Sequence, residues 1–309
     1  YNRYSTKRFE DIIYERLLSE DFSKADMPWK LCLVKEDDEN YMVLWGIDHI
    51  IFDGMSSNII KNELLLLING QVDKLPRVQK YSDYGKDMSD STLFKGPSNL
   101  SSWLQQNKEC MTIFNQNSGD IKSIELTLPI NNKSDNLVIY TLQNVISLLS
   151  NYISKEEIPL MLVEYGRYIN GHDYHNCVGE FLDLIPLLLN QSINYDNFEK
   201  LLECYRGKNS ISQVIKANNR QEFIYKGIGQ FIICNYQGYV SRRDRNIYKK
   251  ANTEQNGHDL IAEITITAGY SDDSIFVQIE SKKGFDEKKL MRAMSKTKLR
   301  VNKESKDYI

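Results

Sequence analysis

His49 stands in the run Asp48-His49-Ile50-Ile51-Phe52-Asp53-Gly54, which reads His-x-x-x-Asp-Gly. The chain holds only four histidines, so one in this setting is worth reading chemically. An imidazole titrates near neutral pH and can take a proton from an incoming amine or hydroxyl. Asp53 can fix the loop, and Gly54 removes a side chain where backbone and substrate would crowd. The alternative is a packed, hydrogen-bonded histidine, since a short motif alone is only a hypothesis.

The flanking pattern tells which elements must hold this loop. Lys30–Val34 and Asn40–Ile47 read as two strands joined by the acidic turn Lys35–Glu39. In the second, Tyr41, Val43, Trp45 and Ile47 share a face. Met55–Ile68 follows as a helix, apolar nearly all round and therefore expected to be well buried, and Asn69-Gly70 ends it. Phe9–Ser19 suits a short amphipathic helix.

Further on, residues 70–119 look polar and irregular, with one helix-like piece over Trp103–Phe114. Strands are expected over Ile121–Ile130, Pro159–Glu164, Gln230–Tyr236, Leu260–Ala268 and Ser274–Ile279. Phe181–Leu189 is strongly apolar around Pro186. Helices are expected over Leu137–Leu149 and, basic and amphipathic, over Phe285–Leu299. Strands and helices interleave, so the class is α/β or mixed α+β. A boundary between two subdomains is placed near residue 120, giving 1–120 and 121–309.

Composition narrows the function classes. The chain has 309 residues, 41% hydrophobic and 26% charged, which is ordinary globular composition. A net charge of −3 implies no general attraction to nucleic acid or to a membrane surface. No apolar run approaches the roughly 18 residues of a membrane span. The five scattered cysteines, Cys32, Cys110, Cys177, Cys204 and Cys234, form no metal-binding spacing and read as reduced thiols of a cytoplasmic protein. His172 and His175 lack a third ligand and read as a solvated loop, so no metal is expected. Arg242-Arg243-Asp244-Arg245 and Lys249-Lys250 form a basic patch, by default also a solvated loop. The start at Tyr1 has no methionine and no signal-peptide pattern, and reads as the beginning of a fragment of something longer.

An ordered series of motifs resembles the condensation-domain superfamily of nonribosomal peptide synthetases, related in fold to chloramphenicol acetyltransferase. Phe22–Trp29 is similar to the family's entry into the strand before its active site. Asp48–Gly54 resembles the His-His-x-x-x-Asp-Gly motif, and Tyr81-Ser82-Asp83-Tyr84 the Tyr-x-Asp-Tyr/Phe motif. Leu100–Asn107 resembles the following helix with its tryptophan, here Trp103. Gly166-Arg167 resembles a Gly-Arg pair, and Val178–Leu187 the Val-Gly-x-Phe-x-Asn-x-x-Pro-Leu motif. Asn235-Tyr236-Gln237-Gly238 matches a late strand, and His258-Asp259-Leu260 the segment before the last strands. Asp48 departs from the pattern, standing where the family usually has its first histidine. The stretch ahead of the motif is also short for the family, so the N-terminal subdomain is expected to be incomplete.

The resemblance implies two acetyltransferase-like subdomains in a V around a central tunnel. It implies no cofactor bound by the domain itself: substrates arrive on the 4'-phosphopantetheine of peptidyl or acyl carrier proteins, delivered within neighbouring synthetase modules. It makes His49 the catalytic residue and Asp53, Gly54, Arg167 and Asp48 its support, with Arg167 the buried partner of Asp53. The activity implied is amide-bond formation between a thioester donor and an amine acceptor. Epimerization domains of the same superfamily carry Glu-Gly-His-Gly-Arg. Here the run is Glu164-Tyr165-Gly166-Arg167, one residue too short, which in a strand turns Glu164 to the opposite face. Tyr225-Lys226-Gly227-Ile228-Gly229 is similar to another epimerization motif but lacks the usual gap before Asn235. Condensation therefore ranks above epimerization. The same motifs would also suit a degenerate recruitment module, favoured by Asp48, or a free-standing acyltransferase.

Overall fold

The alternating residues on either side of the acidic turn form an antiparallel hairpin, β1 (Trp29–Lys35) and β2 (Tyr41–Ile47), paired Trp29↔Ile47 through Lys35↔Tyr41. The computed structural model describes residues 26–35, 37–38, 40–90, 100–130, 136–205, 231–240, 262–272 and 274–301. The helix expected over Phe9–Ser19, the start of the Phe22–Trp29 segment, the Tyr225–Gly229 motif, the basic patch and His258–Leu260 lie outside them. The described residues fall into two units, one from 26–86 with 173–181, the other from 87–172 with 182–301.

In the first unit β2 runs into a single 3₁₀ turn, His49–Ile51, and then helix α1 (Gly54–Ile68). Trp29 and Trp45 meet edge to face across the hairpin at 6.3 Å, and Trp45 touches Phe52 beyond the turn at 6.4 Å. These rings tie the loop to the strands. Helix α1 has the expected extent but not the expected burial. Ser56 is its one buried residue, while Leu64, Leu65, Leu67 and Ile68 are exposed. Apolar composition buries a helix only where another layer packs on it. Here that happens at the first turn. The stretch read as irregular holds a further helix, α2 (Tyr81–Asp90), ahead of α3 (Leu100–Gln116). Its many polar residues hid a helix whose start is the Tyr81–Tyr84 motif.

The second unit is built on a seven-stranded mixed sheet. Its strands are β3 (Ile121–Pro129), β4 (Ile158–Tyr165), β7 (Leu182–Leu189), β8 (Ile232–Tyr239), β9 (Ile264–Tyr270), β10 (Ser274–Phe285) and β11 (Arg300–Val301). Their order is β11-β3-β10-β9-β8-β4-β7, with β4, β8 and β9 parallel. Two-residue strands β5 (Tyr168–Ile169) and β6 (His172–Asp173) make a separate pair.

Strand β4 is buried over Ile158–Leu162, as a central strand covered on both faces must be. Leu160 and Leu162 join the main core; Met161, between them, packs with Trp103, Phe231, Ile233 and Ala262. Helix α4 (Leu137–Ile153) is capped by Asn136 and buries Ile139, Leu142, Val145, Ile146, Leu149 and Ile153 at helical spacing. Each such side chain stabilises the fold by about 1.5–3 kcal/mol. Trp103 of α3 is 1% exposed, and its indole N–H donates to the Leu187 carbonyl of β7 at 3.1 Å, so burial leaves its polar edge satisfied.

The late strand β8 carries Asn235–Gly238 and is irregular against β9 between Tyr236 and Tyr239, where Gly238 takes φ +73°. A left-handed residue at a strand irregularity is a glycine position. The basic helix is shorter than expected. Strand β10 runs on to Phe285, Asp286 caps the turn, and α6 covers Glu287–Met294; α5 (Tyr195–Tyr205) lies between β7 and β8 in the chain.

Candidate active site

The His49 loop is held by short-range hydrogen bonds at every bend. The Asp48 N–H donates to the Pro28 carbonyl at 2.8 Å, fixing the loop against the start of β1. The Asp48 carboxylate caps the 3₁₀ turn, accepting the Ile50 N–H at 3.0 Å. Asp48, for which the resemblance leads one to expect a histidine, is thus part of the turn that presents His49. His49 begins this turn, its side chain about 72% exposed.

Asp53 is the N-cap of α1 and is 1% exposed. Its Oδ1 accepts the Ser56 N–H and lies 2.8 Å from the Ser56 hydroxyl; its Oδ2 accepts the Phe181 N–H at 3.3 Å. Gly54 opens the helix immediately after the cap. Ser56 extends the link, its hydroxyl lying 2.9 Å from the Gly179 carbonyl and accepting the Gly179 N–H at 3.0 Å. Tyr81, the first residue of α2, donates its hydroxyl to the Glu180 carbonyl at 2.6 Å. Residues 179–181 are therefore held at the Gly179 N–H and carbonyl, the Glu180 carbonyl and the Phe181 N–H by Ser56, Tyr81 and Asp53.

Aromatic packing backs the same segment. Phe181 meets Tyr81 at 5.1 Å and Tyr84 at 4.6 Å, and Tyr84 meets Tyr174 at 5.3 Å. A Cβ added at Gly179 would come within 2.3 Å of the Tyr81 ring. Gly179→Ala is expected to destabilise this unit by about 1–3 kcal/mol, the usual cost of overpacking. Thermal denaturation against wild type measures it, and an unchanged melting curve refutes the packing argument.

This scaffold delivers the Glu180 carboxylate to His49, with Oε2 2.7 Å from Nδ1. A carboxylate only accepts, so Nδ1 carries the hydrogen and donates it. Nε2 of the neutral ring is then the acceptor. The hydrogen bond that Nδ1 donates to Glu180 raises the His49 pKa above 6.5, against a smaller lowering by desolvation; the His49 carbonyl and the charges of Glu180 and Asp53 raise it further. A raised folded-state pKa means that the pair stabilises the fold below the unfolded value, and that this contribution is lost as pH rises through the folded one. The ring is too exposed for this to weigh heavily in stability.

Of the sequence-derived site residues, His49, Asp48, Asp53 and Gly54 occupy one continuous turn. Arg167 is fully buried. It belongs to the other unit, so its pairing with Asp53 rests on the resemblance alone. Glu164 lies on β4 opposite Asp183 of β7. His172 bonds Asp87 at 2.6 Å and His175 bonds Asp173, so each is held by a carboxylate. Sequence reasoning missed Glu180, Ser56 and the role of Tyr81. The available signal was a lone acidic residue, Glu180, inside the otherwise apolar Val178–Phe181 run, beside Gly179.

The fold is the one seen in solved condensation and epimerization domains. Over 96% of its length the chain superposes on the condensation domain from Monacolin K polyketide synthase (TM-score 0.60, 10% identity, 77% of that chain). It matches the epimerization domain from the third module of tyrocidine synthetase B equally far (TM-score 0.58, 12% identity, 76% of that chain). In sequence, residues 3–113 match the family model "Condensation domain". Bacitracin synthase 3 of Bacillus licheniformis is 26% identical over 201 residues, 57% of this chain. The chain thus has the fold of solved condensation and epimerization domains, and its first third is similar in sequence to condensation domains. It spans 3% of the length of that synthase.

Proposed function

We propose that this chain is a condensation domain that joins a thioester-bound acyl donor to an amine acceptor, with His49 as the catalytic residue. The observation that carries the reading is the Nδ1–Glu180 bond at 2.7 Å, which leaves Nε2 of an exposed imidazole as the acceptor. In the reaction the amine nitrogen attacks the thioester carbon, and Nε2 takes the amine proton as the C–N bond forms. The tetrahedral intermediate then expels the thiolate, which recovers the proton from the imidazolium. Holding amine and thioester together supplies a further share of the rate. Donor and acceptor would arrive on the phosphopantetheine of carrier proteins in a cytoplasmic synthetase, and the domain itself would need no cofactor or metal. Among the described residues no helix is long and apolar enough to cross a membrane.

Epimerization is the second reading, because the fold matches both kinds of domain. That chemistry exchanges an α-proton and in the family uses the glutamate of Glu-Gly-His-Gly-Arg. Glu164 is one residue out of that register, on a strand that alternates faces. A carrier-bound aminoacyl or peptidyl thioester incubated in deuterated water is therefore expected to gain no α-deuterium, while amide product forms when an amine acceptor is supplied. Mass spectrometry reads both. Exchange that depends on His49 and Glu164 would make the domain an epimerase. Neither exchange nor transfer would make the degenerate recruitment module the better reading.

A further inference from the structure

We infer that Glu180 is a positioning residue for His49, fixing the ring orientation and tautomer that present Nε2 to the acceptor amine. The inference rests on the condensation reading for its rate consequences, but not for the Glu180–His49 contact itself. Within the Val178–Leu187 motif, Glu180 occupies the open position between Gly179 and Phe181, for which the resemblance implies no role.

Three observations carry it. The first is the 2.7 Å contact between Nδ1 and a carboxylate 131 residues away in sequence. The second is the build of the segment bearing that carboxylate. The Gly179 N–H goes to Ser56, the Glu180 carbonyl takes the Tyr81 hydroxyl, and the Phe181 N–H goes to Asp53. Glu180 is thus fixed on both sides at the backbone, and its side chain is only 23% exposed. Positioning by a charged partner costs little when the partner is already ordered. The third is the direction in which the charges act. Among the described residues, the ionisable groups acting on His49 are Glu180 from the 178–181 segment and Asp53 from the cap of α1, both acidic and both favouring the imidazolium. Asp48, on the same turn, is engaged with the Ile50 N–H. The imidazolium that forms when Nε2 takes the amine proton is therefore stabilised where it is needed.

Two substitutions separate charge from orientation. Glu180→Gln keeps an oxygen that can accept from Nδ1 but removes the charge. His49 should then titrate at lower pH, and the acidic limb of the transfer rate should move down with it, because the neutral base persists to lower pH. The high-pH plateau should fall as well, because the charge no longer stabilises the imidazolium, but by less than when the acceptor is removed. Glu180→Ala also removes the acceptor, and the plateau should fall about 10–100-fold, part of the roughly 10²–10⁴-fold that a positioned base supplies. The His49 titration is followed in the whole 309-residue chain by NMR of the imidazole C–H signals, assigned by their loss in His49→Ala. A His49 titration unchanged in Glu180→Gln and Glu180→Ala overturns the inference whether or not transfer is observed. A shifted titration with an unchanged rate profile also overturns it, since Glu180 would then touch the ring without governing the reaction. Absence of transfer in wild type, with the titration shift present, would refute the condensation reading and leave the Glu180 contact standing.

Discussion

Replacing His49 with alanine should cut amide formation from a carrier-bound donor and an amine acceptor by about 10²–10⁴-fold, the contribution of a positioned general base. The fold should be untouched. The side chain is about 72% exposed, so its removal leaves no buried cavity, and the turn beneath it is held by Asp48 and not by the imidazole. Truncation breaks the hydrogen bond to Glu180, whose backbone stays fixed by Tyr81. Single-turnover transfer followed by mass spectrometry checks the rate, and a thermal melt checks the fold. Activity within about twofold of wild type would mean that proximity alone carries the reaction and that His49 is not the base.

The difference between local and long-range information explains what the sequence disclosed. The turn was legible because it is made of neighbours. A strand with alternating Tyr41, Val43 and Trp45, a helix beginning at Gly54, and a cap residue between them are all encoded within a few positions. The strands of the second unit were legible for the same reason: Ile124, Leu126 and Leu128 alternate, and Pro159–Leu162 is a short, unbroken apolar run. Burial was less legible. Helix α1 reads as a core helix by composition, yet only its first turn is buried, because burial depends on what packs against the helix. Helix α2 was missed because Ser82, Asp83, Lys86 and Asp87 give it a loop-like composition; its role becomes visible only through Tyr81 and Tyr84. Glu180 could not be assigned at all. Its place in an otherwise apolar run beside Gly179 is a local signal, but one that names no partner, and its meeting with His49 exists only in the folded chain.

Asp53→Ala is expected to do more damage than its distance from the chemistry suggests. The carboxylate is 1% exposed and answers the Ser56 N–H, the Ser56 hydroxyl and the Phe181 N–H. Losing an N-cap costs about 0.5–2 kcal/mol, and leaving a buried N–H unpaired adds about 1–3 kcal/mol. The two overlap, so a loss of roughly 2–4 kcal/mol is expected, seen as a lower melting temperature or soluble yield. Activity should fall with it, because the Phe181 N–H bond is one of the ties that keep Glu180 against His49. Asp53→Asn sharpens the test. The amide oxygen can still cap α1, but its NH₂ then faces the Phe181 N–H, donor against donor. The asparagine variant should therefore keep most of the helix-cap stability while still loosening residues 179–181. Thermal melts of both variants, with transfer rates taken well below the melting range, separate the two effects. If Asp53→Ala melts like wild type yet is inactive, Asp53 has a direct chemical role and the scaffold assignment is wrong.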